Sequence, residues 1–222
     1  MKKVILFISL GLVGFIGAQE MQIVQIRTLC FQRGADTPES LVVKKPDGNL
    51  VEIELSSSFP TTKTKVPIVE GKIGFYAKGQ LGQQVAVASV ASDIKDVLIL
   101  LVPAPATKKP IIFDTVVMDL SKSAFPDDGA LVMNAYPRDV RAVIGEHRIL
   151  LKPGMRAAVA RPAKRNDYNM AAVVIQYKSK EEWLTAAETM VSFPEALRQL
   201  FITYADPKNN QVTFRSYSIR DL

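Results

Sequence analysis

Few residues in this chain could carry a reaction. There is one histidine, His147, and one cysteine, Cys30. Hydrolytic triads and most transition-metal sites need an imidazole, which alone among side chains changes charge near neutral pH and offers a neutral nitrogen ligand. His147 stands two residues after Gly145, where a hairpin tip would expose it, and an exposed imidazole at a turn is ordinary. No G-x-S-x-G elbow accompanies it. Cys30, in Thr28-Leu29-Cys30-Phe31, reads as a small buried strand residue. A reactive thiol or an intermolecular bridge is the sharper alternative, and a Cys–His pair would need residues 30 and 147 to meet.

The carboxylates are equally sparse. Asp127-Asp128 and Asp93 with Asp96 lack the D-x-D-x-D-G spacing of a calcium loop. Glu52, Glu54, Glu181 and Glu182 qualify by type for a glycosidase pair, which in retaining enzymes stands about 5–5.5 Å apart. Gly71-Lys72-Ile73-Gly74 and Gly79–Gly82 have neither the spacing of a phosphate loop nor a following helix. No cofactor and no metal are expected.

Charge is the unusual feature. Between Gly129 and Arg165 lie eight basic residues, Arg138, Arg141, Arg148, Lys152, Arg156, Arg161, Lys164 and Arg165, against Asp139 and Glu146. Such a run can simply blunt strand edges on a soluble face. It can also bind polyanions, since guanidinium groups match phosphate and carboxylate in bidentate geometry. On that reading Arg138, Arg141, Arg148, Arg156, Arg161, Lys164 and Arg165 form the candidate site, with Tyr136 and Tyr168 available for stacking. Its partner would be an anionic cell-envelope polymer, a lipid headgroup or another envelope protein. No nucleic-acid recognition motif accompanies the stretch, so nucleic acid is not expected.

The envelope enters through the N-terminus. Met1-Lys2-Lys3, the apolar run Val4–Ile16 and Gly17-Ala18 have the three parts of a secretory signal peptide, with cleavage expected after Ala18. The run is shorter than the ~20 residues of a spanning helix, which disfavours an uncleaved anchor. A secreted or periplasmic location follows. Removing Lys2 and Lys3 lowers the formal charge from +6 to +4. A hydrophobic content of 48% excludes general disorder, and a single cysteine leaves stability to apolar burial.

The positioning elements read as strands. Gln22–Phe31 alternates; Leu41–Lys45 and Leu50–Leu55 flank the turn Pro46-Asp47-Gly48-Asn49, with Val51, Ile53 and Leu55 on one face and Glu52 and Glu54 on the other. Val66–Tyr76 reads as one edge strand broken by a bend, followed by Gln84–Val90, the two-sided apolar run Val97–Val102 and Ile111–Leu120. The Pro-rich piece between the last two is a linker or a crossover between sheets. Ser121–Asp128 is the expected boundary. Beyond it, Leu131–Tyr136, Val140–Ile144 and Arg148–Leu151 form the clearest antiparallel unit, the last two closed at Gly145-Glu146. Met155–Arg161 and Asn169–Tyr177 follow. Ser179–Met190 fits a helix capped by Ser179 and Glu182, with a strand from Trp183 as the alternative. Arg198–Tyr204 and Val212–Ile219 close the chain, and Trp183, Phe193, Phe201, Tyr204, Phe214 and Tyr217 are spaced as a C-terminal core. No sequence repeat relates the halves.

These patterns predict an all-β protein with two β-sandwich-like (immunoglobulin-like) units, 21–120 and 129–222, after a signal peptide at 1–18, and one short helix near 180–190. The stretch GALVMNAYPRDVRAVIGEHRILLKPG, with EEWLTAAETMVSFPEALRQLFITYADP and VTFRSYSIRD, resembles a group of secreted, uncharacterised bacterial β-sandwich proteins over roughly residues 120–222. That resemblance implies the fold and transfers no catalytic residue. The expected role is non-catalytic, binding or structural in the envelope. The alternative is an envelope glycan or ester hydrolase using carboxylates.

Overall fold

The computed structural model describes residues 22–34 and 37–220, so the expected signal peptide lies outside the described residues. The first eight strands are β1 (Gln22–Cys30), β2 (Ser40–Lys44), β3 (Leu50–Glu54), β4 (Thr64–Ile68), β5 (Lys72–Ala77), β6 (Gln80–Ser89), β7 (Asp96–Pro103) and β8 (Phe113–Asp119). The next eight are β9 (Ala130–Asn134), β10 (Val140–Ile144), β11 (His147–Leu151), β12 (Arg156–Val159), β13 (Met170–Ser179), β14 (Glu182–Ser192), β15 (Leu197–Ala205) and β16 (Val212–Arg220).

They form four sheets of four strands. The first outer sheet is β3-β2-β5-β6 and the first inner sheet β4-β1-β7-β8; the second inner sheet is β12-β9-β15-β16 and the second outer sheet β11-β10-β13-β14. Adding eight to each strand number of the first pair gives the second pair, strand for strand. Even the parallel neighbours repeat, β1 with β7 and β9 with β15. A repeat absent from the sequence is therefore present in the pairing, because pairing needs only the apolar alternation to be kept, not the residues. The strand orders differ from those of immunoglobulin domains, so the likeness is one of two packed sheets.

Three cores lie between the four layers. Val24, Ile26, Val97, Ile99, Leu41 and Phe75 fill the space between the first outer and inner sheets. Ala130, Val132, Phe201, Val140, Ala142 and Val173 do the same in the second half. The third core joins the halves: Leu29, Leu98, Leu100 and Met118 of the first inner sheet meet Leu131, Met133, Leu200, Ile202 and Tyr217 of the second. Both inner sheets are thus covered on both faces, which is why Val97–Val102 and Leu200–Ile202 are apolar without alternation.

Arginines stitch this middle layer by donating to backbone carbonyls across it. Arg27 Nη2 reaches Arg220 O (2.8 Å), Arg156 Nη1 reaches Val117 O (2.7 Å), and Arg215 Nη1 reaches Phe31 O. Arg198, 2% exposed, donates to Leu120 O (2.7 Å) and Phe125 O (3.2 Å). Within each half a polar side chain on the first strand ties the sheets together. Thr28 Oγ1 donates to Glu54 O (3.3 Å); buried Asn134 donates through Nδ2 to Leu151 O (3.0 Å) and Arg138 O (2.8 Å), and its Oδ1 accepts the Tyr136 N–H (2.9 Å).

Several expected elements are corrected. Val66–Tyr76 is two strands in different sheets, β4 and β5, parted at Glu70 (φ 51°) and Gly71 (φ 72°). The Pro-rich piece is neither linker nor crossover; with a 3-10 turn at Ala106–Lys108 it joins the adjacent strands β7 and β8. Leu131–Tyr136 does not pair with the hairpin after it, because β9 enters the inner sheet while β10 and β11 lie in the outer one.

The helix near 180–190 is strand β14, paired with β13 from Ser179↔Glu182 to Met170↔Ser192 after a turn at Lys180 (φ 54°). A bulge explains the misreading. The register shifts between Ile175 and Gln176, so Trp183 and Thr185 lie opposite Lys178 and Gln176, while Glu188 and Met190 lie opposite Val174 and Ala172. One extra residue inside a period-2 pattern gives the apolar side chains at 183, 184, 186, 187, 190 and 191 a helical spacing.

Candidate anion-binding face

The second outer sheet turns one face to solvent. β10 buries Val140, Ala142 and Ile144 and points Arg141 and Val143 outward. Arg141 pairs with Leu150 and Val143 with Arg148, which sets Arg148 diagonally beside Arg141 on the same face. Gln176 of β13 flanks Arg141 on the other side. Arg141, Val143, Arg148, Leu150 and Gln176 line an open groove of about 440 Å³. The Arg141 guanidinium carbon lies 3.7 Å from the centre of the Trp183 ring, so the aromatic face holds its orientation. Neither arginine makes an ion pair among the described residues. Two like charges on one sheet face repel, and a bound anion would relieve that.

The other predicted site residues are elsewhere. Arg156 bridges to Val117 O as described. Arg161 Nε donates to Phe193 O (2.9 Å), with Nη1 3.9 Å from Asp128 and 3.8 Å from Glu195. Arg165 Nη1 donates to Pro162 O. Arg138 sits exposed in the β9–β10 turn, and Lys164 in the β12–β13 loop. The dense basic run of the sequence is thus divided: Arg161 and Arg165 satisfy loop carbonyls and Arg156 one on the edge strand β8, while Arg141 and Arg148 remain together.

The β10–β11 hairpin that carries this pair is latched at its tip. Glu146 accepts the backbone N–H groups of Ala163 (2.6 Å) and Lys164 (2.9 Å). Gly145 (φ 58°) is required there, since a Cβ would stand 2.8 Å from Pro162 Cβ. The two N–H groups hold the Glu146 carboxyl down at about 2. A carboxyl with a depressed folded pKa contributes stability above its unfolded value and loses it as pH falls through the folded one. The Ala163 and Lys164 amide resonances should therefore titrate with a midpoint of about 2; a midpoint near the ordinary value of about 4.3 would show that the latch is not formed in solution.

The remaining chemistry-bearing residues do not converge. Cys30 is fully buried in the core of the first half, where burial raises its thiol pKa and Sγ donates to Gln32 O (3.1 Å). His147 begins β11 of the second outer sheet, so both inner sheets separate it from the Cys30 core, and no Cys–His pair forms. Its Nε2 lies 3.4 Å from the Glu146 carboxylate. Among the described residues, no group of three or more His, Cys, Asp or Glu is placed to hold a metal ion. Tyr136 packs edge-on against Tyr177, with centroids 5.6 Å apart, and Tyr168 is 81% exposed in the β12–β13 loop.

Trp183 departs from the C-terminal core predicted for it. Phe193 and Phe201 are fully buried, but Trp183 lies half-buried under Arg141. The strand alternative from Trp183 is the one that forms, but its alternation does not reveal the pairing with β13 that sets Trp183 opposite Lys178 and Thr185 opposite Gln176. The chain matches no known family model, and no curated protein matches its sequence.

Proposed function

We propose that this is an exported, non-catalytic protein of the cell envelope whose second outer sheet binds an anionic polymer. The leader-like N-terminus supports the location. The observation that carries the binding reading is the Arg141–Arg148 pair, unneutralised and side by side over a groove of about 440 Å³. A phosphate or carboxylate there would accept bidentate bonds from guanidinium groups. Arg141 is already held by Trp183, which reduces the ordering cost of binding. A polymer fits better than a single small anion because the groove is open and two charges give modest affinity per site.

Titration of the purified protein with polyphosphate or poly-glutamate tests the reading. Affinity should fall steeply as salt is raised, since exposed charges are screened over about 8 Å at physiological ionic strength. Equal affinity at low and high salt would contradict it.

A hydrolase reading has one observation in its favour: Glu39, Glu52 and Glu54 border an open groove of about 610 Å³ on the first outer sheet. Against it, Glu52 accepts hydrogen bonds from Ser40 Oγ (2.6 Å) and Lys78 Nζ (3.0 Å), and these hold its carboxyl below the usual range. A general acid needs the opposite shift.

A further inference from the structure

The two repeats differ at one edge. In the first, the free side of β6 is occupied, because the Ile112 N–H donates to Val85 O (2.8 Å) and Thr115 Oγ1 to Val87 O (2.8 Å). In the second, the equivalent strand β14 has β16 nearby but accepts no such hydrogen bonds from it among the described residues. Among the described residues, its hydrogen bonds beyond β13 amount to the Gln199 amide on the carbonyl of its last residue, Ser192 (3.0 Å). β14 is 11 residues long and contains no lysine, arginine or proline, so its guards are two glutamates, Glu182 and Glu188, and the bulge. Leu184 and Met190 are 40% and 44% exposed on it.

We propose that a second copy of this chain pairs with β14 in antiparallel fashion, joining two second outer sheets into one continuous sheet. A two-fold axis perpendicular to the sheet keeps outward residues outward, and the bulge then restricts the register. Trp183, Thr185, Glu188 and Met190 are the outward positions, opposite Lys178, Gln176, Val174 and Ala172. Placing the axis between Ala186 and Ala187 sets Trp183 against the partner's Met190 and Thr185 against the partner's Glu188. On the inner face Leu184 meets the partner's Thr189.

Every pair then has matching faces, the bulge of one copy meets the bulge of the other, and no like charges are opposed. The charges are also complementary. Glu188 comes diagonally next to the partner's Trp183, which carries the Arg141 guanidinium on its ring, within reach for long side chains across a sheet. Leu184 and Met190 both gain cover.

The register makes a test of opposite signs possible. Sedimentation equilibrium of the purified chain, without polyanion, should show a monomer–dimer equilibrium below about 1 mM. Thr185→Glu puts an acid against the partner's Glu188 twice per dimer and should weaken association roughly 3- to 30-fold; Thr185→Lys should tighten it by a similar factor. Circular dichroism of each variant checks that the monomer keeps its fold, and Thr185 is an exposed edge position. A chain that stays monomeric, or a dimer whose dissociation constant moves the same way or not at all in the two variants, would overturn the proposal.

Discussion

Arg198→Met is expected to lower the unfolding free energy by roughly 2–6 kcal/mol, measured by denaturant titration. Arg198 is 2% exposed and its guanidinium donates to Leu120 O and Phe125 O, the carbonyls that end the first half. Methionine has comparable length but no donor, so two carbonyls in a dry layer lose their partner, at about 1–3 kcal/mol each. The contact of the guanidinium with the Phe125 ring, 5.0 Å from its centre, goes too. The loss should fall on the layer shared by the halves, so unfolding should stay a single transition at a lower midpoint. A change below about 0.5 kcal/mol, the range of ordinary surface substitutions, would mean that the middle layer is not packed as described.

The second large effect is on binding. The double variant Arg141→Glu, Arg148→Glu should weaken polyanion binding at least about a hundredfold, because charge-assisted hydrogen bonds are worth about 1.5–3 kcal/mol each and reversal adds repulsion. Lys65→Glu with Lys95→Glu is the matched control. It alters net charge by the same amount at exposed positions of the first half, and should cost less than about tenfold. Equal losses in the two double variants would mean that overall charge, not the groove, attracts the polymer. Both positions of the first pair are exposed, so stability should be nearly unaffected.

How much of this was legible in the residues depends on what each signal measures. Alternation of side chains is a local property, and it located nearly every strand, down to the hairpin at Gly145. It could not say which sheet a strand joins. Leu131–Tyr136 and Val66–Tyr76 were misplaced for that reason: a strand that crosses between layers keeps the same apolar pattern. Ser179–Met190 stayed open between helix and strand for a different reason: one extra residue in a strand imitates a helical period, and the strand is what forms. The site was harder still. Arg156, Arg161 and Arg165 look like Arg141 and Arg148 in a string of letters, and only the carbonyls of Val117, Phe193 and Pro162 separate them. Those acceptors lie up to 39 residues away in the chain, beyond what spacing can reveal.

The most direct test of the binding face is a map of backbone amide and Trp indole resonances during titration with polyphosphate. Shifts should concentrate on Arg141, Val143, Arg148, Leu150, Gln176 and the Trp183 indole. Shifts gathered instead around Arg138, Arg161 and Arg165, or on the first outer sheet, would contradict the account.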